Sequence, residues 1–420
     1  MRVLIVNTSE RTGGAAVAAH RLTEALINNG IKAKMLVMEK QTDALYVVGN
    51  NHWLKNEWNF VWERFVIWAH NMFSRRNLFK VSIANTGMDI TKTREFQEAD
   101  IIHLHWVNQG FLSLRSIQKI FESGKPVVWT MHDMWPMTAI CHHAYECTHY
   151  QSGCSLCHFL RFPGAHDLSA KVFYRKKTLF ENARIKFVAV SNWLAERARK
   201  SILIGSNDIS VIPNSISLSH FSLIDRSDAR STLHLAARYV VAFGAARIDD
   251  DIKGLSYLLK ALQLLVDSDF AKRENLHLLL FGGIKDEKVL QQIPVPYTYY
   301  GYVNDFHQMS LIYSAANAVV SSSLYETFGQ TLIEAQACGC TPIAFGNSGQ
   351  ADIITHRVNG YLADYLSIDS LAEGIRWALK TDVKQSVLRN NVLAHYTESV
   401  VALKYTEVYN EAIAQKGYRL

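Results

Sequence analysis

"RVLIVNTSERTGGAAVAAHRLTEALINNGIKAKMLVM", residues 2–38, holds the pattern from which the fold follows. The apolar run at 2–7 reads as a buried strand. A polar loop, the Gly13-Gly14 pair and an amphipathic helix ending at Gly30 come next, and AKMLVM (33–38) supplies another strand. Strand, glycine loop, helix and strand open a parallel α/β sheet, because the helix carries the chain back to start a neighbouring strand in the same direction. The loop lacks the G-x-G-x-x-G spacing, which argues against a dinucleotide site. Its apolar stretch before Asn7 is too short for a signal-peptide core.

The same signal recurs outward along the chain. DIIHLHW (100–106), PVVWTMHD (126–133) and IKFVAVSN (185–192) continue the first series. YVVAFGA (239–245), LHLLLFGG (276–283), YTYYGYV (297–303), ANAVVSSS (316–323) and CTPIAFG (340–346) form a second series, with Pro213-Asn214 near the joint. The chain is expected to form two doubly wound Rossmann-like α/β domains facing across a cleft. The expected bounds are 1–212, carrying a cysteine-rich insertion at 141–157, and 213–398. A closing helix at 399–420 is expected to pack back on the first domain. Ligands of such sheets bind beyond the carboxyl ends of the strands.

Bulk properties agree. At 420 residues the chain exceeds one ordinary core, and 49% hydrophobic with 20% charged residues is a globular composition. A net charge of +6 suits an anionic ligand. The basic residues are dispersed, so no nucleic-acid partner is expected. No run approaches the roughly 18 apolar residues of a spanning helix. A cytoplasmic protein, working at the inner face of the cytoplasmic membrane, is the expectation.

SSSLYETFGQTLIEAQACG (321–339) sets two carboxylates, Glu326 and Glu334, around the Phe328-Gly329 step that opens a helix. A helix start favours anions. Carboxylates belong beside it if Glu326 accepts hydrogen bonds from a sugar and Glu334, further along the helix, from another polyol such as ribose. The diphosphate between two such sugars needs cations. Arg247 and Lys253, in FGAARIDDDIKGLSYLL, end an earlier strand of the same domain and could stabilise a departing diphosphate.

These elements together resemble the family-4 retaining glycosyltransferases of the GT-B fold: YETFGQTLIEAQACGCTPIA, the Arg-x5-Lys-Gly element, FGG at 281–283, YYGYVND at 299–305 and VIPNSI at 211–216. The resemblance covers nearly the whole chain. It implies that Glu326 holds donor-sugar hydroxyls, Glu334 the ribose, and Arg247 with Lys253 the diphosphate. It further implies donor contacts from Gly13, Gly14 and Gly282, and a base pocket around Tyr302 and Val303. Thr327, Phe328, Gly329, Gln330 and Thr331 complete the implied donor set. In the first domain His132 matches the family histidine that approaches the transferred sugar. His105 and Asp133 are placed on the acceptor side. A plain tight turn at Gly13-Gly14, and packed histidines at His103 and His105, are the structural alternatives.

Two features lie outside this pattern. Cys141, Cys147, Cys154 and Cys157, with four interspersed histidines, have a density that favours metal over disulfides in a reducing compartment. Cys154-x2-Cys157 has zinc-knuckle spacing, whereas the gap from Cys141 to Cys147 is loose. A structural zinc is expected, with disulfides, another metal or free thiols as alternatives, and no catalytic metal. The insertion resembles that of glycosyltransferases in bacterial capsular and exopolysaccharide (colanic-acid-like) clusters. Residues 53–73, WLKNEWNFVWERFVIWAHNMF, place four tryptophans at helical spacing before Arg75-Arg76. Peripheral membrane contact, or packing on its own domain, would use that face.

The sequence-level expectation is a retaining hexosyltransferase that moves a sugar from a UDP- or GDP-sugar to a lipid-linked glycan acceptor in bacterial surface-polysaccharide synthesis. The alternatives are a GT-B sugar-nucleotide epimerase and a non-catalytic zinc-containing binding protein.

Overall fold

The computed structural model describes every residue except Asn51, Asn182, Asp269, Ala271 and 418–420. Two compact units emerge, Met1–Pro213 together with the chain from Val401 on, and Asn214–Val400. Each is a parallel sheet with helices between its strands, the Rossmann-like organisation expected of each series.

In the first unit the strands are β1 (Arg2–Val6), β2 (Lys32–Val37), β3 (Val47–Gly49), β4 (Ile101–Leu104), β5 (Val127–Met131), β6 (Ile185–Ala189) and β7 (Ile209–Val211), in the spatial order β3-β2-β1-β4-β5-β6-β7. Val3, Leu4, Ile5 and Val6 are all buried, as expected of a central parallel strand covered on both faces. Helix Gly14–Asn28 packs on β1 and β2 through Ala19, Leu22, Ala25 and Leu26. β1 pairs with β2 on one side, Ile5 opposite Met35, and with β4 on the other, Ile5 opposite His103. Between β1 and β4 the chain reverses its direction of travel across the sheet. That reversal is where ligands of such folds bind.

Helix Glu398–Gly417 closes the first unit's sheet. Its Tyr409 hydroxyl lies 2.7 Å from His103 Nδ1, and its Tyr405 hydroxyl lies 2.9 Å from Thr130 Oγ1, which is 2.8 Å from His103 Nε2. Both ring nitrogens of His103 are thereby satisfied in the core. This is the packed-histidine alternative.

In the second unit β8 (Tyr239–Arg247), β9 (Leu276–Gly283), β10 (Tyr297–Tyr299), β11 (Ala318–Ser321), β12 (Thr341–Phe345) and β13 (Tyr361–Ala363) run in the order β10-β9-β8-β11-β12-β13. Leu258, Leu262 and Leu265 of helix Leu255–Asp267 meet Leu278, Leu280, Ile343 and Phe345 in its core. The switch point here lies between β8 and β11. Arg247 ends β8, Lys253 follows it, and Glu326 follows β11.

Candidate active site

Beyond β8 a tight turn at Asp251–Lys253 leads to Gly254, whose φ of +67° is left-handed. A Cβ there would stand 2.0 Å from the Ser322 carbonyl oxygen, so only glycine lets the exit of β8 pass the end of β11. That crossing brings Lys253 to the second carboxylate-bearing loop. Lys253 Nζ donates to Glu326 Oε2 at 2.6 Å, with both side chains about three-quarters covered. Burial works to lower the lysine pKa, but the charge and hydrogen bond of Glu326, with Asp250 beyond, outweigh it and raise the pKa. Lys253 is therefore a fixed cation at the switch point.

The loop holding Glu326 is fastened from a direction the sequence did not indicate. Glu326 N donates to Ser348 Oγ at 3.1 Å, and its carbonyl accepts from Gly349 N at 2.8 Å. Ser321 Oγ donates to Gln350 Oε1 at 2.8 Å, while Gln350 Nε2 donates to the Ser323 carbonyl at 3.1 Å. Ser348 and Gln350 thus position Glu326. The available signal was the Gly-Asn-Ser-Gly loop directly after β12.

Arg247 stands differently. Its side chain is half exposed and engages its own turn, with Nη2 3.1 Å from Asp250 Oδ2 and Nε 3.4 Å from Asp249 Oδ1. The two cations read together from the sequence are thus held by different carboxylates. Phe328 is buried, with Thr327 half-buried beside it, and Gly329 (φ +108°) starts helix Gln330–Ala337 with Gln330 and Thr331 in its first turn. Glu334 is buried on that helix and accepts from the Tyr313 hydroxyl at 2.9 Å. Burial and the Glu334 charge push the Tyr313 pKa far up, which keeps it a donor. At the end of β9 a Cβ on Gly282 would come within 1.8 Å of the Ala245 carbonyl oxygen, so this glycine serves strand packing whatever else it touches. Tyr302 is exposed and Val303 half-buried after β10.

The first unit's switch point is tied by the two side chains that directly follow β1. Trp106 N donates to Asn7 Oδ1 at 3.0 Å, and Thr8 Oγ1 donates to the carbonyl oxygens of Trp106 at 2.9 Å and Asn108 at 3.0 Å. Gly13 and Gly14 are exposed, and a Cβ on either would meet nothing within 4 Å. His132 is half-buried, its Nε2 2.8 Å from His105 Nδ1. Asp133 is buried and committed: it accepts from Trp106 Nε1 at 2.7 Å and Trp135 N at 2.8 Å, and its Oδ2 lies 2.7 Å from His142 Nδ1. Its role is to orient Trp106 and His142.

Burial pushes the His132 imidazole down to about 4, against the opposing pull of Asp133. Burial and neighbouring imidazoles hold His105 well below its ordinary value. These rings are neutral in the fold but titrate near 6.5 when unfolded. Depressed histidine values favour the fold above the unfolded pKa, so stability should be full above pH 6.5 and decline as pH falls toward about 4. Urea midpoints of the first unit at pH 7.5 and pH 5 check this. An unchanged midpoint would contradict a neutral histidine pair.

All six cysteines are free thiols, and among the described residues no three His, Cys, Asp or Glu side chains converge as metal ligands do. Cys141 is buried while Cys147, Cys154 and Cys157 are half-buried. Burial first, then neighbouring thiols and other charges, moves Cys154 and Cys157 up to about 11, so both are protonated at neutral pH.

Known proteins carry the same two-part arrangement. The model of Glycosyltransferase Family 4 matches residues 12–220, and that of Glycosyl transferases group 1 matches residues 226–394. The chain belongs to the family-4 type of GT-B glycosyltransferases. A D-inositol 3-phosphate glycosyltransferase of Actinosynnema mirum is 29% identical over 192 residues, 40% of this chain and 45% of that protein. The chain thus spans less than half the length of that relative. An uncharacterized 41.2 kDa protein in the cps region of Klebsiella pneumoniae is 21% identical over 367 residues, 86% of each chain. Among solved structures, sucrose-phosphate synthase from Thermosynechococcus elongatus superposes with a TM-score of 0.66 at 19% identity, covering 99% of both chains. Anabaena HepE in complex with UDP-glucose does so with a TM-score of 0.61 at 16% identity, covering 98% of this chain and 100% of that one. At such identities the likeness is one of fold.

No helix among the described residues is long and apolar enough to cross a membrane.

Proposed function

We propose that the protein transfers a hexose from a UDP- or GDP-sugar to a lipid-linked glycan acceptor, with retention of anomeric configuration, in the synthesis of a bacterial surface polysaccharide. The observation that carries this reading is the Lys253–Glu326 pair at the switch point of the second unit. A cation and a carboxylate joined there can serve a sugar diphosphate at both ends, the ammonium facing phosphate and the carboxylate accepting from sugar hydroxyls. The complex of HepE with UDP-glucose supports the donor class, and the cps-region relative supports the pathway class.

In the proposed reaction the bond from the anomeric carbon to the β-phosphate oxygen breaks, its electron pair remaining on the diphosphate. The acceptor oxygen bonds to the anomeric carbon on the same face, and its proton passes to the departing phosphate oxygen. Lys253, with Arg247 once released from its aspartates, stabilises the charge that develops.

Glu326→Gln should lower kcat by about tenfold or more with a near-normal donor affinity, because its partner is the reacting sugar. Glu334→Gln should chiefly weaken nucleoside diphosphate binding, read by calorimetry, because its partner is a remote ribose. Wild-type behaviour in both variants would remove the donor from this site. Turnover of donor without any acceptor would make the protein an epimerase.

A further inference from the structure

Helix Trp53–His70 is inside out. The residues it buries are Asn56, Asn59, Glu63, Arg64 and Ile67, four of the five polar or charged. Those it exposes include Trp53 at 68%, Trp58 at 64%, Phe65 at 46% and Trp62 at 40%. A surface helix in water shows the opposite distribution.

The polar underside is tied to the rest of the unit, although Asn59 Nδ2 and Arg64 Nε find no hydrogen-bond partner among the described residues. Glu63 Oε1 accepts from Ser82 Oγ at 2.7 Å, Ile83 N at 2.8 Å and Ala84 N at 2.9 Å, and Glu63 Oε2 lies 2.9 Å from Arg64 Nη2. Asn56 Nδ2 donates to the Met38 carbonyl at 3.2 Å, and Thr86 Oγ1 donates to Asn59 Oδ1 at 2.6 Å. These bonds fix which face looks outward.

The outward face is a continuous aromatic ladder. Ring centroids are 5.9 Å apart from Trp58 to Trp62, 5.7 Å from Trp62 to Phe65, 6.0 Å from Phe65 to Trp68 and 4.7 Å from Trp68 to Phe73. A second segment extends it. Arg161 N donates to Asn71 Oδ1 at 2.6 Å, which brings the exposed Arg161 and Phe162 to the end of the ladder. Within 53–80 and 161–162 the exposed charges are Lys55, Arg75, Arg76, Lys80 and Arg161 against Glu57.

We propose that this face docks the first unit onto an anionic phospholipid bilayer surface, with the aromatic rings at the depth of the headgroups and the basic side chains on lipid phosphates. Tryptophan suits that depth, being apolar in body with one polar N–H. Basic residues are drawn to anionic leaflets, and their apolar stems can lie along the ring faces. A second copy of the chain is a poorer occupant, because a twofold contact would set two like-charged rims against each other. The inference is independent of the sugar chemistry proposed above.

Flotation of the full chain with vesicles of phosphatidylglycerol and phosphatidylethanolamine, containing no glycolipid, tests it. Wild type should float with these vesicles and much less with pure phosphatidylcholine. The variant Trp58→Ser/Trp62→Ser/Phe65→Ser should partition at least about tenfold less, given the apolar area withdrawn from the interface. Arg75→Ser/Arg76→Ser should lose about fivefold per charge, and rising salt should mimic that loss. All five positions are exposed, so unchanged thermal midpoints confirm folding. Wild type that fails to float overturns the proposal, as does an aromatic variant that floats like wild type. A wild-type dimer that the aromatic variant dissolves, with no vesicle binding by either, assigns the face to self-association instead. Because the vesicles hold neither donor nor acceptor, loss of the glycosyltransferase reading would leave the result standing.

Discussion

Replacing Lys253 by methionine should lower kcat/KM by about 100- to 1,000-fold, the range for removing one donor aimed at developing charge, ~2.7–4 kcal/mol. Two effects combine. The variant loses the cation that, in the proposed reaction, receives the departing diphosphate, and it releases the Glu326 carboxylate from a 2.6 Å partner. A double-mutant cycle separates them: if the pair acts as a unit, Lys253→Met and Glu326→Gln together should cost less than the sum of the single losses, by about 1 kcal/mol or more. Arg247→Met should cost less than Lys253→Met, because Arg247 must first leave Asp249 and Asp250. Calorimetry with UDP and GDP supplies the binding half of the measurement. A Lys253→Met enzyme that binds diphosphate normally and turns over within about threefold of wild type would take the donor away from this switch point.

Much of that site was legible because its residues are local signals at strand ends. Lys253-Gly254 and Glu326 each follow an apolar run, and the switch-point rule predicts what strand ends do even before the sheet order is known. The glycine was legible for the same reason, since a crossing that comes within 2.0 Å of a backbone oxygen admits no side chain. The partition of the cations was not legible. Three consecutive aspartates follow Arg247 closely, and sequence does not say that two of them take the arginine while the lysine crosses to Glu326. Ser348 and Gln350 were missed because their partners are 22 and 29 residues away in sequence. Of the four strands of only three residues, β3, β7, β10 and β13, the sequence showed β10 alone, because it sits in the longer run 297–303. The cysteines show the limit of spacing, a one-dimensional quantity, since metal binding needs convergence in three dimensions.

Helix Trp53–His70 shows the same limit most sharply, and it gives the second large effect. Periodicity divides it into an aromatic face and a polar face, but which face is inside depends on acceptors and donors at 78–86, where Arg64 Nη1 donates to the carbonyl oxygens of Leu78 and Val81. Glu63→Ala should therefore destabilise the first unit by about 3–5 kcal/mol, the cost of leaving a buried charge unpaired. The groups left behind are Arg64 and the three donors that now converge on Glu63 Oε1. Glu63→Gln keeps an acceptor for those donors and should lose less. Trp58→Ser, on the exposed face, should stay within about 0.5 kcal/mol of wild type. Tryptophan fluorescence in urea reads this unit selectively, since eight of the nine tryptophans precede Pro213. If Glu63→Ala unfolded at the wild-type midpoint and Trp58→Ser did not, the aromatic face would be the one held by the protein and the polar face the one open to water. The expected order is the reverse, because a domain that fixes a helix by its charges leaves its rings for a medium other than water.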